Sequence, residues 1–129
     1  MSSLLSGRHI LVVEDEMLIS LMIEDMLADL GCEVVTSAAT AEVAVGLVDR
    51  QTFDAALLDM NLNGASSRTV AQALEARGVP FAIATGNSVD DMWDDFRDRA
   101  MLRKPFQYGE LVRILTRLLP ADRLRPHCS

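Results

Sequence analysis

Five short apolar runs recur along the chain, and each is followed by a longer segment in which apolar residues return every three or four positions. The runs cover residues 9–14, 33–36, 54–59, 80–84 and 100–103. They are nearly continuous in hydrophobic residues, as expected of strands covered on both faces. The segments 16–30, 39–50, 66–77, 89–97 and 107–119 carry the helical period instead. Gly31 and Gly78 stand where a glycine commonly closes a helix, and Pro80 sits at the first position of a strand, where a missing N–H is tolerated. Strict strand–helix alternation predicts a parallel sheet with helices on both faces, an α/β doubly wound fold. Right-handed crossovers and five strands favour the flavodoxin-like order 2-1-3-4-5, in which strands 1 and 3 are neighbours at the switch point.

The polar residues that interrupt this pattern fall at strand ends. Glu14 and Asp15 close the run His9-Ile10-Leu11-Val12-Val13, and Asp59 closes Phe53-Asp54-Ala55-Ala56-Leu57-Leu58. Thr85 ends Phe81-Ala82-Ile83-Ala84, and Lys104 follows the fifth run. A parallel sheet places all its strand C-termini at one edge, so three carboxylates, a hydroxyl and an ammonium are predicted to converge in one crevice. A carboxylate can act as a nucleophile toward phosphorus, and phosphoryl transfer mainly requires positioning and neutralisation of oxygen charge. Asp59 is the expected nucleophile, with Asp15 and Glu14 holding a cation directly or through water. Mg²⁺ suits such a site, because it takes one or two carboxylates and completes its octahedron with water, phosphate and carbonyl oxygens. Lys104 would meet a phosphoryl oxygen as a point charge, Thr85 would offer a hydroxyl, and Gly86 would leave room.

Each of these residues also has a structural reading. Asp15 can N-cap the helix that starts near Glu16, and Asp59 can cap its loop or pair with Lys104. Thr85 or Ser88 can cap the helix after the fourth strand. Four groups from four strand ends make the joint site the stronger reading.

Composition narrows the function classes further. At 129 residues the chain is one domain, large enough to bury a core without staples. Half of it is hydrophobic and 24% is charged, which is ordinary for a folded globular protein. No apolar stretch approaches the ~20 residues of a membrane span, and residues 1–7 do not read as a signal peptide. The cytoplasm is therefore the expected compartment, with no membrane partner. A net charge of −7 argues against nucleic acid and suits a divalent cation. Cys32 and Cys128 have no metal-ligand spacing and read as one buried and one tail thiol. The pattern bounds a domain at 8–120, followed by a short tail at 121–129 that is too small to be an effector domain.

The acidic pair Glu14-Asp15, then Asp59, Thr85 and Lys104-Pro105, each after its strand, resembles the response-regulator receiver domain of two-component signalling. The likeness covers about residues 9–119. It implies that Asp59 accepts a phosphoryl group from a histidine kinase or a phosphotransfer protein. It further implies Mg²⁺ held by Asp15, Asp59 and the backbone carbonyl of Asn61, with Glu14 acting through water. Thr85 would be the switch hydroxyl and Lys104 the phosphate partner. Met101 occupies the position, three before the lysine, where receivers usually carry an aromatic switch residue. Asn63 replaces the usual proline four after the acceptor. Phe81-Ala82-Ile83-Ala84-Thr85-Gly86 and Asn61-Leu62-Asn63-Gly64 look like the Phe-Ala-Thr-Gly (FATGUY-type) single-domain subgroup, often linked to kinases of the HWE and related classes.

Partner docking is expected at Met17, Leu21, Pro105 and Phe106. In the first helix, Ile19, Met22, Ile23, Met26, Leu27 and Leu30 form the expected core stripe, leaving Met17, Leu21 and Ala28 opposite. The acidic stretch Asp90–Asp98 reads as a solvated helix with Trp93 and Phe96 packing inward, and Arg113 and Arg117 read as solvent-facing. The expected protein is a stand-alone, monomeric phosphorylatable regulator, which catalyses only its own phosphorylation and dephosphorylation. Two other readings remain at this point. One is a degenerate receiver that serves only as an interaction module. The other is a dehalogenase-like phosphatase, although its Asp-x-Asp motif after strand 1 is replaced here by Glu14-Asp15-Glu16.

Overall fold

The computed structural model describes residues 7–32, 34–62, 65–86, 100–104 and 106–119. The expected helix at 89–97, with Trp93 and Phe96, lies outside the described residues, as do Ser88, Asn63, Gly64, Pro105, Cys128 and the tail. The described elements run β1 His9–Val13, α1 Met17–Asp29, β2 Val34–Ala38, α2 Ala41–Arg50, β3 Ala55–Asp59, β4 Asn61–Leu62, β5 Ala65–Ser66, α3 Arg68–Ala76, β6 Phe81–Thr85, β7 Ala100–Arg103 and α4 Tyr108–Leu118. Five strands form one parallel sheet in the order β2-β1-β3-β6-β7, which is the expected 2-1-3-4-5 arrangement.

Alternate side chains of each central strand leave the sheet on opposite faces, so two cores form. On one face Ile10, Val12, Leu57, Ala82 and Leu102 pack against Ile23 and Leu27 of α1 and Leu111 and Leu115 of α4. On the other, Leu11, Val13, Ala56, Leu58 and Ile83 meet Ala44 and Val48 of α2 and Val70 and Leu74 of α3. β3 and β6 are buried along their whole length, which is why they read as unbroken apolar runs.

The two glycines act as expected. Gly31 (φ 93°) and Gly78 (φ 70°) take the left-handed conformation that a side chain disfavours. Gly31 N–H bonds the Ala28 carbonyl at 2.9 Å and Cys32 N–H bonds that of Leu27 at 3.0 Å, closing α1 with paired capping bonds. Gly78 and Val79 repeat the arrangement on Glu75 and Leu74.

Three details differ from the sequence expectation. β2 runs to Ala38 rather than stopping at 36. It is an edge strand, half exposed, and its polar residues find partners: Thr36 Oγ1 lies 2.7 Å from His9 Nε2, and Ser37 bonds Glu24. Met22, placed on the core stripe of α1, is 45% exposed. The buried line is Ile23, Leu27 and Leu30, with Ser20 one turn earlier, and Met22 lies about 100° round the helix from Ile23. The antiparallel pair β4–β5, in which Asn61 faces Ser66 and Leu62 faces Ala65, was not expected at all. It is too short to carry a recognisable period. Arg113 and Arg117 are exposed and Cys32 is buried, as read from the sequence.

Candidate functional site

The sheet positions the site by extending its ladders one residue past each strand. Glu14 N–H bonds the Ala38 carbonyl at 3.0 Å, Met60 N–H bonds Ala84 at 2.9 Å, and Lys104 N–H bonds Thr85 at 2.9 Å. The backbones that carry the polar side chains are therefore as fixed as the strands themselves. Asp59 is the last residue of β3 and registers with Ala84 of β6, one residue before Thr85. Glu14, Asp59 and Thr85 are all buried, and Asp15 is half-buried.

At this edge Lys104 Nζ lies 3.1 Å from Glu14 Oε1 and 3.0 Å from Asp59 Oδ2. Oxygens of Glu14, Asp15 and Asp59 all lie within 4.8 Å of one another. Three carboxylates thus face one ammonium across a few ångströms. Burial pushes the Glu14 carboxyl above its ordinary value, and the Asp59 charge adds to this. The Glu16 N–H, which donates to Glu14 Oε2 at 3.2 Å, and the Lys104 ammonium pull in the opposite direction. Burial alone would lower Lys104, but the hydrogen bond and charge of Asp59, then those of Glu14, outweigh it and hold the ammonium above its ordinary value. The lysine is stabilised by two acids, whereas Glu14 shares this ammonium with Asp59 and lies deeper. The two shifts therefore describe one over-acidic cluster.

This donor set consists of hard oxygen donors crowded with surplus negative charge, and it fits a small divalent cation. Asp15 does not serve as the helix cap: the N-cap of α1 is Glu16, and no side chain caps it. The backbone of Asn61 enters β4 two residues after Asp59. A Cβ at Gly86 would meet nothing within 4 Å among the described residues. A cleft of about 720 Å³ opens beside Asp15, with Thr40, Glu42, Ser66 and Thr69 in its walls.

Over residues 10–116 the sequence matches the family model of the response regulator receiver domain. The chain belongs to that family. Among solved structures this receiver is similar to SdrG from Sphingomonas melonis Fr1, with 44% identity, 90% of this chain and 98% of that one covered, and a TM-score of 0.77. It is also similar to the receiver domain of sensor histidine kinase PA1611 from Pseudomonas aeruginosa PAO1, with 33% identity, 88% and 98% covered, and a TM-score of 0.73. That structure holds a magnesium ion coordinated in its active-site cleft. The transcriptional regulatory protein PdtaR of Mycobacterium tuberculosis is 28% identical over 109 residues, 81% of this chain and 53% of PdtaR. The receiver thus spans about half the length of that curated relative.

Sequence reasoning brought Glu14, Asp15, Asp59, Thr85 and Lys104 to one edge, and the structure places them there. It missed two features. Leu18 and Met22 join Met17 and Leu21 as exposed apolar residues on α1, at 80%, 45%, 74% and 50% exposure. Phe106, expected at a partner surface, is buried in the core and lines a groove of about 340 Å³ with Ile19, Met22 and Lys104. The second missed feature is Ser67, fully buried behind Asp59. A serine at the start of a helix reads as a cap, and nothing local distinguishes it from one. No helix among the described residues is long and apolar enough to cross a membrane.

Proposed function

We propose that this receiver accepts a phosphoryl group on Asp59, in a Mg²⁺-dependent reaction, from a histidine kinase or a histidine phosphotransfer protein. The observation that carries the reading is the Lys104 ammonium held between Glu14 and Asp59 beside Asp15. An Asp59 carboxylate oxygen attacks phosphorus, an O–P bond forms, and the donor's bond to phosphorus breaks with its electron pair leaving on the donor. Lys104 moves with little rearrangement from a carboxylate oxygen to a phosphoryl oxygen, and the Thr85 hydroxyl, at the end of the neighbouring strand, donates to another. Mg²⁺, when bound by Asp15, Asp59 and the Asn61 carbonyl, with Glu14 acting through water, neutralises charge on the transferring oxygens. Catalysis is confined to the protein's own phosphorylation and dephosphorylation. As a receiver of the Phe-Ala-Thr-Gly subgroup, with HWE-class kinases among its candidate donors, the chain relays phosphoryl groups, drains them, or regulates a partner by contact.

The test is incubation with acetyl phosphate, with and without Mg²⁺, followed by intact mass under mild conditions. One phosphoryl group is expected, labile to hydroxylamine and absent in chelator. No gain, together with no measurable Mg²⁺ binding, would leave an interaction module that works without phosphorylation.

The exposed patch Met17, Leu18, Leu21 and Met22 is the docking face we favour for the phosphodonor's helix, with Phe106 at the floor of the adjoining groove. Pro105, the remaining docking candidate, lies outside the described residues. Leu18→Asp alters a position that is 80% exposed, so stability should hold. Transfer from a phosphorylated histidine phosphotransfer protein should slow by about tenfold or more, with the acetyl phosphate rate unchanged. Equal slowing with both donors would place the effect in the chemistry and not in docking.

A further inference from the structure

Ser67 opens α3, but it does not do what a serine at that position ordinarily does. As N-cap of the helix it would be expected to turn its hydroxyl toward the free N–H groups of the first turn. Its side chain makes no capping bond. The local N–H of Arg68 is served instead by Ser66 Oγ, at 3.1 Å. The Ser67 hydroxyl turns inward, donating to the carbonyl of Asp59 at 2.5 Å and lying 2.9 Å from that of Met60. Its own N–H reaches the Met60 carbonyl at 3.3 Å, and its carbonyl takes the N–H groups of Val70 at 3.0 Å and Ala71 at 3.2 Å. Ser67 has no exposed surface.

These contacts hold the segment Asp59–Met60 from two sides. On one side Met60 N–H is laddered to Ala84 of β6. On the other, two successive carbonyls converge on one residue that is itself anchored in the first turn of α3. The next residue is Asn61, whose carbonyl completes the metal set in the reading above. Asp59 and Asn61 must present oxygens to one small ion with near-octahedral demands, so small shifts of this backbone weaken binding.

We propose that Ser67 is a positioning residue for the phosphoacceptor loop: its buried hydroxyl, donated to the Asp59 carbonyl, and its N–H, donated to that of Met60, set the geometry of the Mg²⁺ site. The inference rests on the Mg²⁺ reading of the acidic cluster. It assigns Ser67 no contact with the metal or the phosphoryl group.

The test is Mg²⁺ affinity by isothermal titration calorimetry without any phosphodonor, with thermal unfolding measured in parallel. The proteins are the parent, Ser67→Ala, Ser67→Cys, Ser67→Thr and, as a remote core control, Val48→Ala. Loss of the hydroxyl in Ser67→Ala should weaken Mg²⁺ binding by about tenfold, the lower end for outer-shell partners of a metal site. Ser67→Cys, nearly isosteric but a weak donor, should behave alike, and it carries the test if the alanine variant does not fold. Ser67→Thr retains the hydroxyl and should recover most of the parent affinity. Val48→Ala should unfold earlier and bind Mg²⁺ like the parent. Parent-like affinity in both Ser67→Ala and Ser67→Cys would overturn the proposal, as would equal weakening in Val48→Ala. A parent that binds no Mg²⁺ would remove the metal reading and this inference together.

Discussion

Asp59→Asn is expected to gain no phosphoryl mass from acetyl phosphate at saturating Mg²⁺, and to unfold at a higher temperature than the parent when Mg²⁺ is absent. The carboxamide matches the carboxylate in shape and still offers Lys104 Nζ an oxygen where Asp59 Oδ2 now lies at 3.0 Å. What it lacks is a nucleophilic oxygen, so the rate should fall by at least about a thousandfold, the scale on which removal of a covalent nucleophile is felt. The stability effect has the opposite sign to that of most buried substitutions. Asp59 is 7% exposed and lies among oxygens of Glu14 and Asp15, with one ammonium to serve all three. Removing one charge relieves repulsion and the cost of its burial, while the hydrogen bond remains in neutral form. A gain of about 1 kcal/mol is expected from this balance, or about 4 °C in melting temperature for a domain of this size. Added Mg²⁺ should raise the parent more than the variant and narrow the gap. Calorimetric scans with and without Mg²⁺ check this. Phosphoryl gain persisting in the variant would move the acceptor elsewhere, and a lower melting temperature would show that the Lys104 pair outweighs the repulsion.

Lys104→Met should act in the reverse direction. The thioether chain roughly fills the space of the lysine stem but takes from Glu14, 4% exposed, and from Asp59 the ammonium they share. Breaking a buried pair by removing one partner typically costs about 3–5 kcal/mol, and Lys104 serves two carboxylates while remaining partly solvated, so about 3 kcal/mol is expected. The deficit must depend on pH. Glu14 is raised above 4.5 in the fold, so its ionised form opposes folding. That penalty is complete above the folded pKa and fades as pH falls toward the unfolded value. Lys104 is raised above 10.5, so its contribution is complete below 10.5 and is lost as pH rises through the folded value. The substitution deletes the second contribution and enlarges the first. Compared with the parent, the variant should be weaker at about pH 8 than at about pH 5, because acidification moves the raised Glu14 carboxyl toward its neutral form. Urea unfolding at both values measures the difference. A deficit independent of pH would mean that lost packing of the lysine stem, and not exposed like charge, explains the effect.

The apolar runs were legible because the sheet is parallel and covered on both faces. Nothing polar survives inside β3 or β6, so a polar residue at the end of such a run marks the end of the strand. That argument located Glu14, Asp59 and Thr85 without reference to any contact. It worked less well for β2, where Thr36 and Ser37 are tolerated because an edge strand leaves part of its surface to solvent and to side chains such as His9 and Glu24. It also misjudged α1. Six apolar residues there fit a core stripe by period; Ile23, Leu27 and Leu30 are buried, Ile19 and Met26 pack part-buried against the same core, and Met22 falls outside. Helical period states which residues share a face, not how wide a face the neighbouring sheet and α4 will cover.

By itself the sequence determined the sheet order, the two glycine-closed helix ends and the edge at which three acids, a hydroxyl and a lysine meet. Each follows from local or topological constraint: strand burial, the left-handed conformation at Gly31 and Gly78, and the rule that parallel strands end together. Only the tertiary structure decided that Lys104 bridges Glu14 and Asp59, that Leu18 and Met22 remain in solvent, and that Ser67 turns from its helix to the Asp59 carbonyl. These choices depend on which of several partners lies nearest after packing, and residues 90, 45 and 8 positions apart become neighbours through the sheet and not through the chain.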